Sequence, residues 1–174
     1  MRRLSIVQGE HVVVSQAGVV ISTLLGSCVA VCLVDRAVAV GGMNHFLLGE
    51  PAAGHCTAVA DLQRYGVHAM EILINAMLAR GAERGRFSAH VYGGANMVAG
   101  LGNIGSANAA FARRFLEVER IPIAHAELGG CSARRVEFMP FEGRSRCHTA
   151  VEAIIDAPRR SLRPLPTGGE LELF

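Results

Sequence analysis

Residues 29–44 read VAVCLVDRAVAVGGMN, in which two valine-rich apolar runs flank the dipeptide Asp35-Arg36. Residues 29–35 and 37–44 have the length and the branched side chains that are typical of buried strands. A short polar break between two such runs turns the chain back on itself. The stretch therefore predicts an antiparallel hairpin, around which the rest of the chain can be assigned.

Strands precede this hairpin, and strands alternate with helices after it. Apolar residues recur at helical spacing from about residue 62 until Gly81 ends the helix, and a second amphipathic helix is expected at 106–119. The other predicted strands are residues 4–7, 11–14, 19–24, 86–92, 121–128, 134–139 and 144–149. This order predicts an α/β fold of the α+β kind, with packed mixed β-sheets and flanking helices.

A single domain is expected over residues 1–157. The chain has 174 residues, of which 51% are hydrophobic, so it can bury a full core without metals or disulfides. Residues 158–174 differ in composition, with three prolines and three arginines. They are expected to form a C-terminal tail, although residues 170–174 fit a short edge strand.

The charge of the chain is nearly balanced, with 17 basic residues, all of them arginine, against 15 acidic ones. A formal charge of +2, with two tyrosines and no tryptophan, gives no reason to expect nucleic-acid binding. The longest apolar runs are too short to span a bilayer, which predicts no membrane insertion. Because no apolar signal-peptide core follows Arg2 and Arg3, a cytoplasmic location is expected.

The five cysteines are odd in number and irregular in spacing, so free thiols are expected. Cys28 and Cys32 would share one strand face with about 13 Å between their sulfur atoms, which is too far for a disulfide or a common metal ion. Cys32 is expected to be a small buried residue. Cys28 follows Gly26-Ser27, where a turn enters the strand. It is either buried as well or a nucleophile beside backbone N–H groups that can hold an oxyanion.

His45 is the candidate base for such a nucleophile, because a reactive thiol needs a base within hydrogen-bond reach. In the predicted hairpin, Cys28 and His45 lie at the same open end, seven residues before Asp35 and nine after Arg36. Strand pairing can then bring the two together. A solvated or capping histidine at the end of a strand fits the same position.

A dinucleotide site and a metal site are further alternatives with weaker support. Residues 100–105 read GLGNIG and match G-x-G-x-x-G at the start of the second helix. Residues 93–99 separate these glycines from the preceding strand, whereas dinucleotide-binding folds place them directly after it. The adjacent pairs His55-Cys56 and Cys147-His148 lack zinc spacing. We therefore expect a glycine-rich connection and no metal site.

Several motifs together resemble the CheD family of chemoreceptor glutamine deamidases. They are LLGSCVAVCL around Cys28, GGMNHFLL around His45, RYGVHAMEILINAML on the first helix, and VYGGANM, NIGSAN and IPIAHAELGG further along. The resemblance extends from about residue 7 to residue 143. It implies an enzyme without metal or organic cofactor that converts glutamines of methyl-accepting chemotaxis receptors to glutamate, by way of a cysteine thioester, and releases ammonia.

The resemblance also implies partners, a fold and roles for single residues. Some family members hydrolyse receptor methyl esters, and some bind the phosphatase CheC. The family fold has packed mixed sheets, and its catalytic core is similar to the deamidase domain of cytotoxic necrotizing factor. The family's nucleophile falls on Cys28, its histidine on His45, and its third member, typically a threonine six residues before the cysteine, on Ser22, with Thr23 next to it. The alternative is a non-catalytic module that binds receptors or CheC.

Overall fold

The structure, a computed structural model, describes residues 1–48, 59–97 and 103–150, with the backbone alone for residues 59–64. Within these ranges the strands are β1 (Arg2–Ser5), β2 (His11–Val14), β3 (Val19–Leu25), β4 (Val29–Asp35), β5 (Val40–Phe46), β6 (Ser88–Gly93), β7 (Ile123–Leu128), β8 (Arg134–Met139) and β9 (Arg144–Thr149). The helices are α1 (Val59–Leu78) and α2 (Ile104–Val118), and a 3-10 turn at Arg84–Arg86 precedes β6. The predicted α+β class is confirmed.

The predicted hairpin forms β4 and β5, at the centre of a five-stranded sheet. The strand order is β2-β5-β4-β6-β7, and every pair is antiparallel except β6 with β7. All residues of β4 and β5 are buried, which explains why both runs are apolar without alternation. The buried Asp35 carboxylate ends β4 and accepts hydrogen bonds from the Arg86 side chain and from the N–H of Ala37 and Glu83.

A second sheet of four strands packs against the first. Its order is β1-β3-β8-β9, in which β1 and β3 are parallel and the other pairs are antiparallel. Between the two sheets lies a buried layer that includes Ile21, Leu25, Met43, Tyr92 and Phe138. The chain passes from β3 of the smaller sheet to β4 of the larger one through residues 26–28.

The two helices cover the other face of the five-stranded sheet. The core on that side includes Leu73 and Met77 of α1, Ala112 and Leu116 of α2, and Phe46 of β5. The described part of the protein therefore has three layers, with the five-stranded sheet in the middle. The central hairpin is buried on both faces because it lies in that middle layer.

Most elements lie within a few residues of their predicted positions. Strand β1 is two residues earlier than predicted, and β5 begins at Val40 because residues 36–39 form the turn, with Ala39 at a φ of 51°. Gly81, at a φ of 85°, follows α1 as predicted. In the register of the β4–β5 hairpin, Ala30 pairs with His45, and this pairing sets the position of His45 in the site.

Several predictions concern residues outside the described ranges. They are the tail at 158–174 with its edge strand, the pair His55-Cys56, and the glycines at 100 and 102. The domain boundary after residue 157 and the likeness to cytotoxic necrotizing factor stay predictions. Among the helices that the structure describes, none has the length and hydropathy needed to cross a membrane.

Candidate active site

The candidate nucleophile Cys28 lies where the chain crosses from one sheet to the other. The N–H of Gly94 donates to the Cys28 carbonyl at 2.8 Å, and the N–H of Ala95 donates to the Gly26 carbonyl at 3.0 Å. Gly93 permits this close approach, because its φ is 106° and a Cβ there would lie 2.2 Å from the Cys28 carbonyl oxygen. Gly93 at the end of β6, with Gly94 and Ala95 after it, therefore fixes the backbone around Cys28.

A buried side chain of α2 joins the two ends of the central hairpin at this point. The Nδ2 group of Asn108 donates to the Ser27 carbonyl at 2.8 Å, and its Oδ1 accepts from the N–H of Leu48 at 2.9 Å. Ser27 immediately precedes Cys28, and Leu48 lies three residues after His45. One fully buried amide thus holds both sides of the candidate site.

Cys28 and His45 face the same side of the five-stranded sheet. His45 pairs directly with Ala30. Cys28 lies two residues before Ala30 and immediately before β4, and an extended chain at that point would make it a diagonal neighbour of His45. Diagonal neighbours lie about 7–8 Å apart in their backbones, within reach of an imidazole. Cys28 packs against the layer between the sheets, and His45 is buried with 6% exposure. The hairpin register therefore places the two residues near one another on one side of the sheet.

The orientation of the His45 ring is set by Thr23 on β3. The Thr23 hydroxyl oxygen lies 2.8 Å from Nδ1 of His45 and 2.8 Å from the carbonyl oxygen of Ile6. A carbonyl oxygen only accepts, so the hydroxyl proton goes to Ile6 and Thr23 accepts from the Nδ1–H group. The lone pair of Nε2 is therefore free, and this buried nitrogen has no hydrogen-bond partner among the described residues.

Ser22, the predicted third member of the site, lies on the opposite face of β3. Side chains alternate along a strand, and Ile21 and Leu25 share the inward face with Thr23. The Ser22 hydroxyl points the other way and lies 3.3 Å from that of Ser5. The expected contact between Ser22 and the imidazole is therefore wrong. The hydroxyl that meets His45 belongs to Thr23, five residues before the cysteine.

Burial disfavours the charged form of both candidate groups. It raises the pKa of the Cys28 thiol, and a hydrogen bond from the residue's own backbone N–H offsets this only in part. Burial also lowers the pKa of His45, against a smaller opposing effect of the Glu10 carboxylate. Both shifts disfavour a thiolate–imidazolium pair, so the proton has to move when a substrate binds.

Besides Thr23, two residues of the site were not found from the sequence. One is Gln8, whose Oε1 lies 3.6 Å from the Sγ of Cys28; it arrives there through long-range packing that no local pattern reveals. The other is Asn108, for which a signal existed. It stands on the apolar stripe of α2 with Gly105, Ala109 and Ala112, and a buried amide on such a stripe needs hydrogen-bond partners.

The geometry defines the chemical class of the site. A thiol, a histidine with a free Nε2, a hydroxyl that orients the ring and a fixed backbone turn are the parts with which cysteine–histidine hydrolases cleave amides and esters. Within residues 1–48, 65–97 and 103–150, no three histidine, cysteine, aspartate or glutamate side chains are grouped so as to hold a metal ion. The described residues therefore include the groups that a thiol-dependent hydrolase uses.

Comparison with known proteins matches residues 47–149 to the family model CheD, described as CheD chemotactic sensory transduction. A Zymomonas mobilis protein named probable chemoreceptor glutamine deamidase CheD is 54% identical over 146 residues, covering 84% of this chain and 79% of that protein. A Caulobacter vibrioides protein of the same name is 46% identical over 178 residues, covering 99% and 93%. The chain therefore belongs to the CheD family, as its motifs predicted. A solved Neisseria meningitidis structure, at 14% identity and a TM-score of 0.42 over 69% of this chain and 51% of its own, is too distant to carry an inference.

Proposed function

We propose that this protein is a chemoreceptor glutamine deamidase, which hydrolyses side-chain amides of particular glutamines in methyl-accepting chemotaxis receptors to glutamate and ammonia. Its relatives carry that name. The observation that carries the proposal is the hydrogen bond between Thr23 and Nδ1 of His45. This bond leaves Nε2 unprotonated, on the same side of the five-stranded sheet as Cys28. The histidine can therefore act as the base that a cysteine nucleophile needs.

In this mechanism, Nε2 of His45 takes the thiol proton of Cys28 while the sulfur attacks the carboxamide carbon of the substrate glutamine. The carbon–sulfur bond forms and the carbonyl electrons move onto the oxygen. When this oxyanion collapses, the imidazolium gives its proton to the leaving nitrogen, and ammonia departs from a thioester. Water, deprotonated by the same Nε2, then attacks the thioester. The carbon–sulfur bond breaks, the imidazolium returns its proton to the leaving sulfur, and the receptor glutamate and the free thiol are released.

The backbone N–H groups of Ser27 and Cys28 are the proposed donors to the oxyanion. Each belongs to a peptide group whose carbonyl is already engaged, since the Gly26 carbonyl accepts from Ala95 and the Ser27 carbonyl accepts from Asn108. The two N–H directions are therefore set before the substrate arrives. A donor fixed in advance stabilises the developing charge, and loss of one such donor costs about 10²–10³ in kcat in other hydrolases.

Ammonia release from purified receptor fragments tests the proposed function. The wild-type protein should release ammonia and convert receptor glutamine to glutamate, as followed by mass spectrometry. Cys28→Ala should abolish both, whereas Cys131→Ala, which removes an exposed free cysteine, should leave both unchanged. Undiminished turnover by Cys28→Ala would remove Cys28 as the nucleophile. No turnover of any host receptor by the folded wild-type protein would favour the non-catalytic module.

A cytoplasmic location and binding of the phosphatase CheC are further parts of the proposal, and both are supported by the resemblance of the sequence motifs. Purified CheC from the same organism should bind the wild-type protein and Cys28→Ala equally well, because the substitution removes only a thiol. Calorimetry measures this binding. Failure of both proteins to bind would exclude CheC as a partner.

A further inference from the structure

A tight turn formed by Val7, Gln8, Gly9 and Glu10 is fastened to the strand that carries His45. The N–H of Glu10 donates to the Val7 carbonyl at 3.0 Å, and Gly9 has a φ of 88°, which fits the third position of a type II turn. The N–H of Gly9 donates to the His45 carbonyl at 2.8 Å, and the N–H of His45 donates to the Glu10 carbonyl at 3.0 Å. The corner residue Gln8 is therefore held in a fixed place relative to His45.

The side chain of Gln8 reaches from this corner to the thiol of Cys28. Its Oε1 lies 3.6 Å from Sγ, a hydrogen-bond distance for the larger sulfur atom. An amide oxygen only accepts, so the thiol is the donor. A thiolate has no proton to donate and would face the lone pairs of the oxygen. The contact therefore stabilises the protonated form of Cys28.

Gln8 carries the same chemical group as the substrate of the proposed reaction. A reacting glutamine has to place its carboxamide carbon at the sulfur and turn its oxygen toward the backbone N–H groups. Gln8 has the opposite orientation, because its oxygen faces the sulfur. The Gln8 carboxamide thus contacts the sulfur through its oxygen, an arrangement that does not lead to attack.

We propose that Gln8 is a positioning residue that keeps the Cys28 thiol protonated in the free enzyme and that the carboxamide of the receptor glutamine displaces it. The second half of this statement rests on the proposed function, whereas the first concerns the free protein alone. Displacement removes the contact that favours the thiol, so the proton passes to His45 more readily once the substrate is bound. The nucleophile is thereby less open to oxidation and alkylation between turnovers.

Alkylation of Cys28 by iodoacetamide tests the first half without any receptor, because the reagent reacts with the thiolate and peptide mapping separates Cys28 from the other cysteines. Gln8→Met keeps the length of the side chain and removes the carboxamide. It should be alkylated roughly threefold faster than the wild type below the thiol pKa, with the pH profile displaced to lower pH. Gln16→Met, in an exposed bend, should match the wild type. Identical profiles for wild type and Gln8→Met would overturn the proposal.

Receptor kinetics and mass spectrometry test the second half. In Gln8→Met the KM for the receptor should fall, because the substrate no longer has to break the hydrogen bond between the Cys28 thiol and the Gln8 carboxamide. A raised KM would overturn the displacement. Gln8 should remain an amide in the wild-type protein, and its conversion to glutamate would show that it reacts as a substrate, which the proposal excludes. Since alkylation needs no receptor, an effect of Gln8 would persist in a protein without deamidase activity, and the two proposals fail separately.

Discussion

Asn108 on α2 donates a hydrogen bond of 2.8 Å to the carbonyl oxygen of Ser27, the residue before the candidate nucleophile. The same amide accepts from the N–H of Leu48, just beyond the strand of His45. A helix in the outer layer thus sets the separation of two segments in the middle layer. The arrangement explains why a polar side chain is fully buried on α2.

Asn108→Ala should lower kcat by roughly 10²-fold with little change in KM, because a small displacement of Cys28 affects the reaction geometry more than binding. It should also lower the free energy of unfolding by about 1–3 kcal/mol, since two buried backbone groups lose their partner. Steady-state kinetics and urea denaturation measure the two effects. Asn103→Ala is the control, because the Asn103 side chain makes no capping hydrogen bond at the start of α2. An unchanged kcat in Asn108→Ala would contradict the positioning role.

Thr23→Val should reduce kcat about tenfold or more, because it keeps the shape of the side chain but removes the acceptor for Nδ1–H of His45. A hydrogen bond worth about 1.4 kcal/mol corresponds to a factor of ten in rate. Thr23→Ser should retain activity. Ser22→Ala should also retain it, because Ser22 faces away from the ring and lies beside Ser5.

The tautomer of His45 provides a direct readout of the same relationship. Nitrogen NMR should find the wild-type ring protonated on Nδ1 above its pKa, and Thr23→Val should shift the proton partly to Nε2. Full activity and an unchanged tautomer in Thr23→Val would remove Thr23 from the site. A loss of activity in Ser22→Ala alone would restore the assignment that the sequence motif implied.

The free energy of unfolding should fall as the pH is lowered from about 7.5 to about 5.5. His90 on β6 lies between the sheets, with Nδ1 2.6 Å from the Ser145 hydroxyl. Burial, followed by the charges of His125 and Arg36, lowers its pKa below the usual value of 6.5. The folded state therefore binds this proton less readily than the unfolded state. The contribution of His90 to the free energy of unfolding is complete above about pH 6.5 and is lost as the pH falls below it. The lowered pKa of His45 acts in the same direction.

Urea denaturation at the two pH values measures this dependence. The denaturation midpoint of the wild type should be lower at the acidic pH, and His90→Gln should reduce the difference between the two midpoints. His148→Gln, which changes an exposed histidine on β9, should leave the difference as it is. An equal difference in wild type and His90→Gln would mean that His90 does not contribute.

Gly93→Ala should both destabilise the protein and misplace Cys28. The new Cβ would meet the Cys28 carbonyl at 2.2 Å while the residue keeps a φ of 106°. Gly129→Ala is the matched control, since Gly129 has a φ of 83° and nothing within 4 Å of the added Cβ. Gly129→Ala should lower the free energy of unfolding by only about 1–2 kcal/mol, through backbone strain, and Gly93→Ala should lower it distinctly more. Ammonia release should fall in Gly93→Ala alone, and an equal loss in both variants would argue against a role for Gly93 in placing Cys28.

Local features made much of the fold predictable. The hairpin of β4 and β5, both helices and the strands β2, β8 and β9 follow from periodicity and turn residues, which act over a few positions. The pairing of strands that are not neighbours in the sequence does not follow from such local features. The parallel pairing of β1 with β3 joins residues 17 positions apart, past the intervening strand β2. Strand β8 lies beside β3 although more than a hundred residues separate the two strands, and no local pattern encodes either pairing.

The sequence by itself determined the family, the α+β class and the hairpin that brings Cys28 to His45, because each rests on motifs or on pairing between neighbouring strands. It did not determine which hydroxyl meets the imidazole. Ser22 and Thr23 are 2% and 4% exposed although they lie on opposite faces of β3, and residues 19–25 read VVISTLL, without an alternation from which the inward face could be read. Only the packing of one sheet on the other selected Thr23, since neighbouring side chains on a strand point in opposite directions.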